Sequence, residues 1–399
     1  MVLPSALPKL ACSTTSIRHS MLPAKFKLHL AALCGSLLLA ACGGGGSGPV
    51  LPPIAIAPPP PATEPPPPEP EPPVHLFFQE RAFDLQAHRG GLGLVSESTI
   101  ASFTNALEMG VTTLELDTQV TADGVAVVTH DRRISAQKCQ DTAPASDGDP
   151  LYPYVGRYIK ELTLAQVKTL DCGSLRLPAY PEQRLDPGAR MPTLREVLDL
   201  VKSYAADHVL LNVETKVEAG APEETAPREQ FVQVVVEEIR TSGLTNQVTI
   251  QSFDWGALMR VREIEPALPI VALTNGQQFL QAGMPGASPW LGGIDIDDFG
   301  GDLVAAAKSF GADAISPVHG DPQGGRYGEP GYEPYTTPEM VASAHAAGMK
   351  VVPWTVNDRA TIGYLMDAGV DGIITDLPDL LREIMAERDL PLPAPALRR

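Results

Sequence analysis

The feature that most constrains this chain is an alternation. Short apolar runs rich in β-branched residues are separated by longer segments with helical spacing. The runs are residues 83–87, 113–116, 125–129, 209–213, 248–251, 270–273, 312–316, 351–355 and 372–375. Helical patterns fall at 99–109, 194–206, 229–242, 257–264, 301–310, 338–347 and 359–368. Strand followed by helix in this rhythm predicts parallel sheet, as a closed barrel or an open doubly wound sheet. Nine runs is one too many for a (β/α)8 TIM-type barrel. Only residues 117–124 separate the second run from the third, whereas a parallel crossover needs a dozen or more. Ala122-Asp123-Gly124 reads as a turn, so residues 113–129 read as a hairpin-like arm after the second strand. That arm would set Asp117 nearly opposite His130, with an insertion following. The other eight runs form the barrel. An open sheet would want a phosphate-loop fingerprint after its first strand, and Gly90-Gly91-Leu92-Gly93 lacks it.

The front of the chain has a different composition. Lys25-Phe-Lys27 followed by the apolar stretch 28–41 has the layout of an export signal, and Met21 fits as its start. Leu39-Ala40-Ala41-Cys42 matches the bacterial lipobox, which makes Cys42 the lipidated first residue of the mature chain; a plain secretory signal is the alternative. Between Pro49 and Pro73, 14 of 25 residues are proline, a composition that cannot bury a core. In polyproline II geometry it extends by about 3.1 Å per residue and serves as a spacer. The expected organisation is a signal over 1–41, a tether over 42–77, a barrel over 78–390 and a tail over 391–399. Residues 1–41 carry four basic and no acidic residues, so their removal takes the net charge from −18 to −22. A body this acidic argues against nucleic-acid binding, and no protein partner is implied, a peptide docking site on the proline segment being the rival to a spacer. Cys139 and Cys172 flank a Gly/Pro/Asp-rich excursion and, in an oxidising compartment, read as a disulfide stapling the insertion. Gly43 after Cys42 offers no aspartate retention signal, which favours an outer-membrane anchor facing the periplasm or surface.

Polar residues interrupt these runs at their C-terminal ends, the rim where an α/β barrel builds its site. His88 and Arg89 end the first strand and Glu115 and Asp117 the second; Asn212-Val213-Glu214-Thr215-Lys216 ends the next barrel strand. Alternation puts Glu115 and Asp117 on one face, and likewise Glu214 and Lys216. Three carboxylates converging without cysteine suit a hard divalent cation, Ca²⁺ or Mg²⁺, and without one they would raise one another's pKa values. His88 and His130 suit proton transfer; Arg89 suits a phosphate. Asp295, Asp297, Asp298 and Asp302 fit no EF-hand spacing and read as a solvated loop. His208, His319 and His345 read as exposed or helix-terminal.

With these residues in place, the chain resembles the glycerophosphodiester phosphodiesterases from about Leu85 to Leu381. The likeness rests on an ordered set: Ala-His88-Arg89-Gly90, Glu115-x-Asp117, His130-Asp131, Asn-Val-Glu214-Thr-Lys216, Gln251-Ser252-Phe253-Asp254, Pro353-Trp354-Thr355-Val356-Asn357 and Gly369-Val370-Asp371-Gly372-Ile373-Ile374-Thr375-Asp376. The resemblance implies Glu115, Asp117 and Glu214 as ligands of one cation, and His88 and His130 as general acid and base. It implies Arg89 and Lys216 as phosphate contacts on a small phosphodiester substrate. The family's Pro-Glu-Asn-Thr is Ser96-Glu97-Ser98-Thr99 here; Glu97 survives with a metal or substrate role, while the loop's shape is open. Trp354 either packs as core or walls the glycerol. The implied reaction yields sn-glycerol 3-phosphate and an alcohol. A lysophospholipid substrate on the same fold, or a non-catalytic lipoprotein that binds polyol phosphates, is the alternative.

Overall fold

The computed structural model describes residues 75–398. The export signal, Cys42 and most of the tether lie outside the described residues. Eight strands run parallel: β1 (Asp84–Ala87), β2 (Thr113–Val120), β4 (Leu210–Thr215), β5 (Val248–Ser252), β6 (Ile270–Thr274), β7 (Ala314–Pro317), β8 (Lys350–Val351) and β9 (Gly372–Thr375). Their order in the sheet is β8-β7-β6-β5-β4-β2-β1-β9. The seam between β8 and β9 is bridged by backbone bonds from Asp371 N–H to Val351 C=O at 2.9 Å and from Ile374 N–H to Pro353 C=O at 3.0 Å. Pro353 has no N–H to offer the ladder, and β8 is correspondingly short. The ring is a (β/α)8 barrel.

The third run is the arm expected of it. β3 (Ala126–Val128) pairs antiparallel with the outer half of β2, Thr118 opposite Val128, and Thr129 N–H donates to Asp117 C=O at 3.0 Å. The next residue is His130, so the hairpin delivers it beside the carboxylates. The chain then leaves the barrel for an insertion of residues 131–192. It carries its own small core around Tyr154, Ile159, Leu162 and Leu170, and the Cys139–Cys172 disulfide, 33 residues apart. Closing a loop of that size restricts the unfolded chain by about 3–4 kcal/mol.

Seven helices cover the barrel where the spacing predicts them, and each start has a local cause. Thr99 caps α1 (Ile100–Met109) through a capping box with Ser102, and Thr193 caps α2 (Leu194–Ser203) with Glu196. The others are α3 (Arg228–Ser242), α4 (Trp255–Ile264), α5 (Leu303–Ser309), α6 (Pro338–Ala346) and α7 (Arg359–Asp367). An eighth, α8 (Pro378–Glu387), was not anticipated. Its signals were present: proline at the first turn and buried Leu381, Ile384 and Met385 on one face.

His75 and Phe77, in the stretch expected as tether, pack against the barrel. His75 Nε2 lies within 3.1 Å of the carbonyls of Thr245 and Val248, and Phe77 is buried against Val271 and Ala314. These residues cover the N-terminal end of the barrel, opposite the rim. The C-terminal segment also packs, with Ala396 N–H donating to Leu107 C=O at 2.8 Å. Among the described residues no helix is long and apolar enough to cross a membrane. The acidic loop supplies helix caps, Asp295 to Asp297 N–H and Asp302 to the start of α5. His319 departs from expectation: it is buried, between the Tyr332 hydroxyl at 2.9 Å and the Gln323 carbonyl at 2.7 Å, where it supports a loop of the rim.

Candidate active site

Strand register assembles the carboxylates. Asp117 on β2 is the direct neighbour of Glu214 on β4, and Glu115 sits two residues before Asp117 on the same inward face. One oxygen from each of Glu115, Asp117 and Glu214 lies within 4.8 Å of the others, and all three residues are buried. Beneath them the barrel interior is polar. Asn212 donates to Gln86 at 2.9 Å and Gln251 at 2.8 Å, and Gln251 donates to Glu115 Oε1 at 2.8 Å. This ladder fixes Glu115 from below.

Arg89 is held on the other side by its backbone. Its φ is +51°, a left-handed conformation that costs a non-glycine residue about 1–3 kcal/mol. Its N–H donates to Glu115 Oε2 at 2.9 Å, which compensates. Gly90 follows at φ +82°, where a Cβ would stand 2.5 Å from Ser102 Oγ, so the turn can lie against α1 only with glycine there. The Arg89 side chain faces Asp117 at 3.0 Å and Glu97 at 3.2 Å. Lys216 Nζ lies 2.9 Å from Glu214 and 3.7 Å from Asp117.

Two histidines face the same cavity. His88 Nδ1 is 2.5 Å from Asp376 Oδ1, and Asp376 is itself held by the Tyr180 hydroxyl at 2.5 Å and Asn357 Nδ2 at 2.6 Å. His130 Nδ1 is 2.7 Å from Asp131 Oδ1, with its ring a third exposed in the cavity. In both residues a carboxylate occupies Nδ1 and leaves Nε2 for a substrate.

The electrostatics follow from burial and crowding. Burial, and then the Asp117 charge, push Glu115 well above the usual carboxylate range. Burial pushes Glu214 up to about 7 even with Lys216 beside it. Asp117 goes the other way: its burial is outweighed by Arg89 and the neighbouring cations. Burial, reinforced by Lys216 and Arg89, pushes His130 down to about 3, so its ring is neutral at physiological pH. The three carboxylates therefore fit a hard divalent cation by their donor set, their spacing and their mutual repulsion. Asp117 Oδ2 lies 3.0 Å from Arg89 Nε without closing a hydrogen bond to it, which leaves this buried oxygen with lone pairs such an ion could use.

The cavity above these groups has a volume of about 930 Å³. Its far wall is an aromatic row: Trp354 edge-on to Phe253 (5.4 Å), Phe253 edge-on to Phe279 (5.0 Å), and Phe279 stacked on Trp290 (4.3 Å). The Trp354 indole N–H donates to Ser316 C=O at 2.9 Å, so this residue is both anchored in the rim and part of the cavity wall. Glu97, expected at the metal or substrate, is paired with Arg89 at 3.2 Å and with Lys138 at 2.9 Å. Asn357, Asp376 and Asp131 stand in the motifs at the strand ends, whereas Tyr180 and Lys138 belong to no motif. For Asp376 the signal existed, since a closed barrel makes β9 the neighbour of β1 and sets Asp376 beside His88.

This geometry defines a (β/α)8-barrel site that suits an anionic diester, with two histidines above a cluster of three buried carboxylates that could hold a cation. The model of the glycerophosphoryl diester phosphodiesterase family matches residues 88–380, and the chain belongs to that family. It is 30% identical over 303 residues to the glycerophosphodiester phosphodiesterase of Bacillus subtilis strain 168, covering 75% of this chain and 85% of that one. It is 28% identical to the glycerophosphodiester phosphodiesterase of Caldanaerobacter subterraneus, over 74% of this chain and 94% of the relative. A family structure from Silicibacter pomeroyi DSS-3 superposes with a TM-score of 0.63 at 29% identity, covering 78% of this chain and 96% of that one.

Proposed function

We propose that this enzyme hydrolyses glycerophosphodiesters to sn-glycerol 3-phosphate and an alcohol, using His88 and His130 as its acid and base. The observation that carries the reading is the meeting of both histidines, Arg89, Lys216 and the three buried carboxylates in one cavity. When bound by Glu115, Asp117 and Glu214, Ca²⁺ or Mg²⁺ would polarise a phosphoryl oxygen. Arg89 and Lys216 offer fixed cations to the charge that grows on the phosphoryl oxygens. His130, neutral, is suited to take a proton from the attacking hydroxyl, which is water or the neighbouring glycerol hydroxyl. His88, aimed by Asp376, is suited to protonate the alkoxide as its P–O bond breaks. If glycerol attacks, a cyclic phosphate forms and water opens it with the roles reversed.

The aromatic row favours a second reading in which the substrate carries an apolar chain, as in a lysophospholipid. The lipobox at Cys42 and the proline-rich spacer support anchoring of the enzyme to a bacterial membrane, on the outer membrane by the residue after Cys42.

The test is direct. Purified protein, stripped of metal and then re-supplied with Ca²⁺ or Mg²⁺, is expected to release equal amounts of choline and sn-glycerol 3-phosphate from glycerophosphocholine only when a cation is present. Lysophosphatidylcholine, assayed in parallel, separates the two readings. Release that survives chelation would remove the cation from the account, and no release from either substrate would remove the activity.

A further inference from the structure

Lys138 sits in the insertion and takes no part in the cavity wall, yet it joins the two halves of the site. Its Nζ lies 2.9 Å from Glu97 Oε1 and 2.9 Å from Asp131 Oδ2. Glu97 is the carboxylate behind Arg89, and Asp131 is the partner of His130 Nδ1. The Lys138 and Glu97 side chains are only 18% and 9% exposed, which places this ion pair largely out of water.

The links have a chemical consequence. A neutral imidazole carries one proton, and an acceptor at Nδ1 leaves the Nε2 lone pair for the substrate. Asp131 is that acceptor. It is a third exposed, on a short side chain that is free to turn towards solvent unless its second oxygen is held. Lys138 holds that oxygen, and Glu97 holds Lys138. The segment that presents Lys138 is itself pinned. Lys138 and Cys139 N–H groups donate to Ser135 C=O at 3.1 and 2.9 Å, and Cys139 is joined to Cys172. Gln140 and Asp171 exchange both backbone bonds, at 2.8 and 3.0 Å.

We propose that Lys138 is a positioning residue for the reaction: it fixes Asp131, and through it the tautomer and aim of His130, from a segment that the Cys139–Cys172 disulfide holds in place. The proposal rests on the phosphodiesterase reading. Because Lys138 lies outside the cavity wall, it can reach the site only through Asp131 or through Glu97 and Arg89, and the His130 tautomer reports the first route alone.

Two substitutions in the full-length protein test this. Lys138→Met removes the charge and keeps most of the length; Lys138→Arg keeps the charge. With glycerophosphocholine, Lys138→Met is expected to lower kcat by about 10–100-fold with KM within about two-fold, and Lys138→Arg to recover most of the loss. Cys139→Ser with Cys172→Ser should lower kcat in the wild-type background and add little to Lys138→Met, because both act through one contact. A Lys138→Met protein with wild-type kcat, or a loss that arginine leaves unrepaired, overturns the proposal. A second readout needs no turnover. Ring ¹⁵N NMR, with the His130 signals assigned against His130→Gln, should report the Nδ1–H tautomer in wild type and a mixture in Lys138→Met. An unchanged tautomer overturns the positioning role even if the enzyme is active. A changed tautomer in a protein that cleaves no glycerophosphodiester supports that role and sinks the assigned reaction.

Discussion

Replacing His88 with alanine is expected to lower kcat for glycerophosphocholine by about 10²–10⁴-fold, the usual worth of a positioned acid or base. The fold should persist, with a lower Tm. The ring is partly exposed to the cavity, and Asp376 keeps the Tyr180 hydroxyl and Asn357 as donors once the imidazole is gone. The loss is then one hydrogen bond to a charged group, about 1.5–3 kcal/mol, without an orphaned carboxylate. His130→Ala should behave alike, and the double variant should be little worse than either single one, since the two residues act in one proton-transfer cycle. Steady-state kinetics with thermal melts check this. Turnover near the wild-type rate in either single variant would contradict the assignment.

Glu115→Gln should separate activity from stability. Glu115 is buried against Asp117 and Glu214, and its carboxyl is pushed well above the usual range by burial and by Asp117. In the metal-free protein at neutral pH, an ionised Glu115 is therefore unfavourable, and a neutral amide of the same shape removes that cost. The amide oxygen can still accept from Arg89 N–H, although the contact with Gln251 must rearrange. Metal-free Tm is expected to stay within a few degrees of wild type or to rise. Catalysis should fall by about 10³-fold or more, because a neutral amide is a poor ligand for a hard dication and the cation supplies several kcal/mol of charge stabilisation. Ca²⁺ or Mg²⁺ at a hundred times Kd should stabilise the wild-type protein by about 2.7 kcal/mol, and the matching rise in Tm should disappear in the variant. A variant that remains active, or still melts higher with cation, would show that Glu115 is no ligand.

Much of this site was legible because its residues end strands. Apolar runs located His88, Arg89, Glu115, Asp117, Glu214 and Lys216 before any coordinates, and a short spacing between two runs exposed the hairpin that returns His130 to Asp117. What was missed lies where periodicity is silent. Lys138 and Tyr180 belong to the insertion, whose irregular backbone has no repeat to read. Lys138 is presented beside the disulfide, and Tyr180 by a segment whose Gln183 and Arg184 bond back to residues 92–96. Glu97 was visible as a residue, but its pairing with Arg89 and Lys138 was not. Gln86 looked like an ordinary strand residue, yet it begins the polar ladder that ends on Glu115. His319 shows the converse failure, a lone histidine read as exposed that proves to be a buried strut.

The central claim is that Glu115, Asp117 and Glu214 are gathered to hold one divalent cation beneath two histidines. Calorimetric titration of the metal-free protein with Ca²⁺, at pH 6 and pH 8 in buffers of different ionisation enthalpy, tests it most directly. Glu214, with its pKa raised to about 7, is mostly protonated at pH 6 and mostly ionised at pH 8. The cation must displace that proton, so affinity should weaken as pH falls through 7. The expected result is one ion per chain, tighter binding at pH 8, and roughly one more proton released at pH 6. Binding of no ion, or binding that releases the same number of protons at both pH values and persists in Glu115→Gln, would contradict the account.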